Sequence, residues 1–251
     1  MAASITTSEE GGVRYLHFGS RWIQGAMRIA RPWALELEYT RDMMLALLLR
    51  PAPRWPRNVL LIGLGAASLP KFLYRHRPQA VLTVVEIEPA VVRAAIQSFR
   101  LPDDPRRLAI EIADGHDYVA ATGRRFDLIL VDGYDAKCRV GMLDTLAFYC
   151  NCRARLTEHG LLVTNFLNRH RGLAGSRKRM DEAFDARACA LPACESGNII
   201  GLAAAGVPVD IGLEDIKSGA LRLKRDTGLN LLPTVARIAR LQRGLSDRFA
   251  L

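Results

Sequence analysis

Four short stretches of this 251-residue sequence set small or acidic residues directly after apolar runs. Gly63-Leu64-Gly65-Ala66-Ala67-Ser68 follows NVLLI, Glu86 closes VLTVVE, Asp114-Gly115 follows LAIEI, and Asp132-Gly133-Tyr134-Asp135 follows FDLILV. In an open parallel sheet a ligand sits outside the carboxyl ends of the strands, so residues at those ends are the ones placed to touch it. A small-residue turn lets backbone come close to a ligand. Glu86 lies 21 residues beyond Gly65, the spacing at which an acid closing a second strand accepts hydrogen bonds from ribose hydroxyls. The turn lacks the third glycine that favours a dinucleotide. Each signal also has a plainer reading. The glycine turn is a tight strand-to-helix connection, Glu86 a charge near a helix N-terminus, Asp114 a helix cap, and Asp132 with Asp135 a turn bonded to its own backbone.

Taken together in order, the four stretches point to a nucleoside-binding domain of the kind that holds S-adenosyl compounds. The elements needed to position them can be read from hydrophobic period and punctuation. Strands are expected at 58–62, 81–86, 108–112, 126–131, 160–165 and 198–204, with helices at 68–75, 89–99, near Tyr118, at 143–156 and at 177–186. This βα alternation gives an α/β, Rossmann-like doubly wound sheet of methyltransferase type. Residues 13–30 alternate apolar and polar around a Gly-Ser break, which predicts two antiparallel strands. Residues 35–49 carry apolar side chains at helical spacing and end at PAPRWP. The expected organisation is therefore a small β-hairpin region plus helix over 1–50 and a Rossmann-like catalytic domain over 51–251. A C-terminal helical stretch from about Leu213 is expected to break at Gly228 and Pro233.

Composition narrows the class. With 49% hydrophobic and 24% charged residues the chain can bury a sizeable core, which excludes collagen, coiled coil and wholesale disorder. The longest apolar stretch, residues 59–70 with two glycines, falls short of the roughly 20 residues that span a bilayer. The N-terminus has no basic segment followed by an apolar one, so a cytoplasmic location and no membrane partner are expected. The net charge of +9 comes from arginines scattered along the chain, and the densest cluster lies at Arg169–Arg171 and Arg177–Arg179. That pattern suits a solvated face better than a nucleic-acid stripe. The five cysteines form no CxxC pair and no zinc set, so reduced thiols and no metal are expected.

In WIQGAMRI around Gln24, LELEYTRDMM, VLLIGLGAASLPKFLYRH, VVEIEPAVV, ADGHDYV, FDLILVDGYDA and LAFYCNCRARLTEHGLLVTNF, the sequence resembles the spermidine synthases (polyamine aminopropyltransferases), in particular their bacterial spermidine synthase-like branch. The resemblance runs over roughly residues 14–205, and its fold-level part is shared with methyltransferases. It implies that Gln24 and Tyr39 contact the nucleoside donor or the amine, that Glu86 holds the ribose, and that Asp114 with Gly115 holds the adenine. Gly63 and Gly65 complete the donor cradle. Asp132 matches the aspartate that orients and deprotonates the attacking amine, and Asp135 matches the one that binds the acceptor. The chemistry agrees with that placement. An alkylammonium is not nucleophilic, so a carboxylate within hydrogen-bond reach must localise it and take its proton. Tyr134 is either an aromatic wall for an ammonium group or a packing tyrosine.

The implied reaction moves an aminopropyl group from decarboxylated S-adenosylmethionine, a co-substrate and not a tightly bound cofactor, to a diamine such as putrescine. A homodimer is also implied. The chain departs from the family pattern in two places. Ala66 replaces an aspartate of the glycine turn that contacts the donor's aminopropyl ammonium, and Lys137 and Arg139 stand beside the amine pocket, where cations repel a polyamine. These departures favour one alternative, a methyltransferase using intact S-adenosylmethionine; a nucleoside-binding module without transfer activity is a further alternative.

Overall fold

Gly11 and Gly12 both have positive φ, 57° and 76°, the backbone that two-residue hairpin turns require. They join β1 (Ile5–Glu10) to β2 (Val13–Phe18), which also pairs with β3 (Ile23–Arg28) in a three-stranded antiparallel sheet. The two strands expected within 13–30 are β2 and β3. The sequence reading passed over β1, because ITTSEE buries no face and so shows no apolar alternation. The computed structural model describes residues 4–19, 22–134, 140–167, 172–241 and 246–251.

The helix expected over 35–49 is two short ones, α1 (Glu38–Met43) and α2 (Ala46–Leu49). Between them the backbone tightens to i→i+3 bonds, as in Leu45 N to Asp42 O and Leu48 N to Leu45 O, a common device where a helix end is bent to fit its neighbours. Every side chain from Met43 to Leu49 is buried, so packing overrides the single-helix spacing.

The central sheet has seven strands: β4 (Asn58–Ile62), β5 (Val81–Glu86), β6 (Leu108–Ile112), β7 (Phe126–Val131), β8 (Leu156–Leu167), β9 (Ala188–Ala190) and β10 (Asn198–Ala204), in the order β6-β5-β4-β7-β8-β10-β9. The first five in that order are parallel. β10 is antiparallel to both its neighbours. Period-two side chains explain why the parallel strands read as unbroken apolar runs. Val59, Leu61, Leu82, Val84, Leu128, Leu130, Leu161 and Val163 enter one buried cluster, while Leu60, Ile62, Val85, Ile129, Val131 and Leu162 enter another. The first face is covered by α1, α2, α3 (Ser68–His76), α4 (Pro89–Ser98), α8 (Leu213–Thr227) and α9 (Leu232–Leu241). The second is covered by α5 (Gly115–Ala121), α6 (Leu146–Ala154) and α7 (Leu173–Ala183). A two-stranded sheet, β11 (Asp210–Gly212) with β12 (Arg248–Ala250), lies at the C-terminal side. The expected doubly wound architecture is thus the observed one. One detail is corrected. Gly228 does end α8, in a left-handed C-cap, but Pro233 is the second residue of α9, where a missing N–H is harmless and a fixed φ helps the helix start.

β4 lies between β5 and β7, so successive connections leave it in opposite directions and open a crevice at its carboxyl end. The tips there are tied together. Gly63 N donates to Val85 O and Asp132 N to Ile62 O, both at 2.9 Å. Gly63 has φ +93°, and a Cβ on it would press into the Asp132 carbonyl. The small sheet is anchored beside this crevice. Ser68 Oγ donates to Ala26 O at 3.1 Å. The buried Lys71 ammonium, which burial pushes down to about 7, reaches Phe99 O at 2.7 Å and Met27 Sδ at 3.1 Å.

Gly63→Ala adds both positive-φ strain and overpacking against β7. We expect it to lower unfolding stability by about 2–4 kcal/mol, read as a shift of the urea midpoint at unchanged slope.

Candidate functional site

The crevice opens into a cavity of about 1420 Å³. Of the residues singled out in the sequence, Gln24, Tyr39, Gly63, Gly65, Glu86, Asp114, Gly115, Asp132 and Tyr134 all line it. Asp135 lies outside the described residues, as do Lys137 and Arg139. Asp132 closes β7. Its Oδ2 accepts from Tyr39 Oη at 3.0 Å and its Oδ1 from Asn165 Nδ2 at 2.8 Å. Burial lifts the Asp132 carboxyl above the usual carboxylate range, and these two hydrogen bonds to the charged form oppose that rise. Burial and the neighbouring Asp132 charge hold the Tyr39 phenol well above its ordinary value, so it stays a donor. Tyr134 Oη donates to Asn165 O at 2.6 Å, which fixes that ring as a wall of the cavity.

Glu86 is buried at the tip of β5. Its Oε2 accepts from Leu64 N at 2.8 Å and its Oε1 from Glu88 N at 2.9 Å. It therefore pins the glycine turn while facing the cavity, and burial raises its carboxyl against the pull of those backbone donors. The charge at the N-terminus of α4 is not Glu86 but Glu88, whose side chain caps the helix through Ala90 N at 3.1 Å. Asp114 is a cap as well as a lining residue: its Oδ1 accepts from His116 N at 2.7 Å. Gly115 is needed because a Cβ there would collide with the Ile62 side chain. Ala66, where the family pattern calls for an acid, is 3% exposed and packed against the small sheet. A Cβ on Gly25 would lie 2.6 Å from its methyl. That contact brings β3, and with it Gln24, to the cavity.

The sequence reading missed four polar residues. Asn165 is 4% exposed in β8, and its only signal was a polar residue closing an apolar run. Asn198 and Ser196 reach the cavity because β10 runs antiparallel and starts at the same edge where the parallel strands end. Glu38 also lines the cavity, with Oε1 bonded to Arg237 Nη1 at 2.7 Å and Oε2 accepting from Glu195 N at 2.9 Å. Arg237 of α9 bonds Asp42 as well, and so clamps the helix that carries Tyr39. Among the described residues, one group has ligand atoms close enough together for a cation, Asp114, His116 and Asp117, within 4.8 Å of one another. Its Asp114 Oδ1 is engaged as a cap and its His116 Nδ1 pairs with Asp117 at 3.0 Å.

The electrostatics of the cavity oppose those of the molecule. The chain carries +9 overall, yet the described lining residues include Glu38, Glu86, Asp114 and Asp132 and no lysine, arginine or histidine. Such a cavity concentrates cations.

Comparison with known proteins agrees with this geometry. The family described as the spermine/spermidine synthase domain matches residues 37–182. A polyamine aminopropyltransferase of Chromobacterium violaceum is 35% identical over 234 residues, 93% of this chain and 88% of that protein. Of solved structures, a probable spermidine synthase from Corynebacterium glutamicum superposes with TM-score 0.70 at 20% identity, over 80% of this chain and 76% of that one. Human methyltransferase-like protein 13, in complex with SAH, superposes with TM-score 0.62 at 23% identity, over 84% of this chain and 94% of that one. These two likenesses concern the fold. No helix among the described residues is long and apolar enough to cross a membrane.

Because burial raises the Asp132 carboxyl, the native state binds its proton more tightly than the unfolded chain does. The charged group therefore opposes folding at neutral pH, and that opposition vanishes below the unfolded carboxylate value near 3.9. Asp132→Asn is expected to raise the melting temperature at pH 7, with the difference from wild type closing as the pH falls toward about 4. Scanning calorimetry across that range checks it.

Proposed function

Since the chain belongs to the spermine/spermidine synthase family, we propose that it transfers an aminopropyl group from decarboxylated S-adenosylmethionine to a diamine such as putrescine, with Asp132 as the base. One observation carries this reading: a half-buried carboxylate, held on both oxygens, faces a cavity lined by acids and, among its described residues, by no cation. Both substrates are cationic, one a sulfonium and the other an ammonium.

Asp132 takes one proton from the acceptor ammonium, freeing its nitrogen lone pair. That pair attacks the propyl carbon beside the sulfonium. The nitrogen–carbon bond forms as the carbon–sulfur bond breaks, and its electron pair stays on sulfur, leaving neutral methylthioadenosine. The product amine carries the positive charge, and Asp132 passes its proton to solvent. Gly63, Gly65, Glu86, Asp114, Gly115 and Gln24 are assigned to the donor. Tyr39 and Tyr134 are assigned to the acceptor side, and Asp135 is assigned there by its place in the motif. A homodimer working in the cytoplasm belongs to the same reading.

A methyltransferase is the second reading. It is favoured by Ala66, a buried methyl where the family pattern has an acid for the donor's ammonium.

Asp132→Asn is expected to reduce turnover by about 10² to 10⁴ while donor binding, measured by calorimetry, changes little. Unchanged turnover removes Asp132 as the base. Methylthioadenosine as the released product, with tighter binding of the decarboxylated donor, supports aminopropyl transfer. S-adenosylhomocysteine as the product moves the assignment to methyl transfer.

A further inference from the structure

Behind Asp132 lies a row of polar side chains that the reaction itself does not use. Asn165 Nδ2 donates to Asp132 Oδ1 at 2.8 Å, Asn198 Nδ2 donates to Asn165 Oδ1 at 2.9 Å, and Ser196 Oγ donates to Asn198 Oδ1 at 2.8 Å. Cys194 Sγ lies 3.0 Å from Ser196 Oγ. Asn165 and Asn198 are 4% and 7% exposed, so neither amide can trade its partner for bulk water at low cost.

An ionised carboxylate only accepts hydrogen bonds, whereas an amide has one accepting and one donating end. The charge on Asp132 therefore fixes the orientation of Asn165. Once Asn165 presents Nδ2 to Asp132, its Oδ1 must accept, so Asn198 has to present its own Nδ2. Asn198 Oδ1 must then accept in its turn, so the Ser196 hydroxyl points toward it and leaves an oxygen lone pair for the Cys194 S–H. Every donor in the row points toward Asp132. A proton placed on Oδ1 would meet the Asn165 N–H₂ head on, and relief would require both amides to turn over together.

We infer that Asn165 and Asn198 are positioning residues, which with Ser196 form a one-way hydrogen-bond row that keeps Asp132 ionised and reserves its remaining lone pairs for the acceptor amine. This rests on the assignment of Asp132 as the base. The other groups around Asp132 do not set this direction. Tyr39 of α1 bonds its second oxygen, Glu38, Glu86, Asp114 and Tyr134 line the same cavity, and Cys194 acts on Tyr39. The Tyr39 hydroxyl can rotate to accept from a protonated carboxyl, but a buried amide locked at both ends cannot.

The test is the acid limb of kcat against pH at saturating amine and donor, which reports the base in the substrate complex. Asn198→Leu removes the donor that orients Asn165 without adding a charge, and frees the Asn165 amide to turn its oxygen toward Asp132. The acid limb is expected to move up by about one pH unit, a tenfold rise in the proton affinity of the base, with the donor KM unchanged. Ser196→Ala, in the loop before β10, removes only the last donor and should move the limb in the same direction by a smaller step. If both folded variants lose turnover equally at every pH and the limb stays in place, the row is packing and the proposal falls. If Asp132→Asn retains wild-type turnover, the base assignment itself fails and the proposal goes with it.

Discussion

Keeping a negative charge at the end of a buried strand with no cation among its described neighbours is the constraint on which this molecule turns. The described walls of the cavity hold four carboxylates and no basic side chain; Glu38 is paired with Arg237, and the other three are sustained by neutral donors. Asp132 has a phenol and an amide, Glu86 has the amides of Leu64 and Glu88, and Asp114 has the first amides of α5. An arginine would stabilise any of them more strongly, but it would also neutralise the field that draws in a sulfonium and an ammonium. Hydrogen-bond donors stabilise the charge without cancelling it.

The fold supplies those donors at little extra expense. Parallel strands end with backbone N–H groups and helix starts crowded at one edge, and the crevice beside β4 gathers several of them. Two of the acids consequently work twice. Glu86 holds the glycine turn in place while it faces the ligand space, and Asp114 starts a helix while it does the same. At Asp114 the helix cap read in the sequence is the observed one, while at Glu86 the structural partner is the glycine turn and not the start of α4; both acids also line the cavity. Hydrogen bonds to local backbone use only part of a carboxylate's accepting capacity.

Most of this was legible in the residues. The inner strands announced themselves because a strand covered on both faces is an apolar run with an abrupt polar end, as FDLILV followed by Asp132 shows. The cavity wall contributed by β10 was hidden for the opposite reason. Asn198 opens its strand instead of closing it, and nothing in NIIGLAA states that the strand runs antiparallel. The exposed strand β1 was lost because it buries almost nothing, although the Gly-Gly pair after it is a hairpin signal in its own right. Asn165 stood at the end of a predicted strand. A lone asparagine after an apolar run carries no chemical signature of its own, and its importance appears only with Asp132 beside it.

The grip of Arg237 on Glu38 and Asp42 joins positions 199 and 195 residues apart. The guanidinium that steadies the Tyr39 helix is added by the ribosome long after every strand of the central sheet has been synthesised. The clamp on the Tyr39 helix thus waits for α9, and a stop before α9 removes it together with Val235 and Ile238 from the core that covers one face of the sheet.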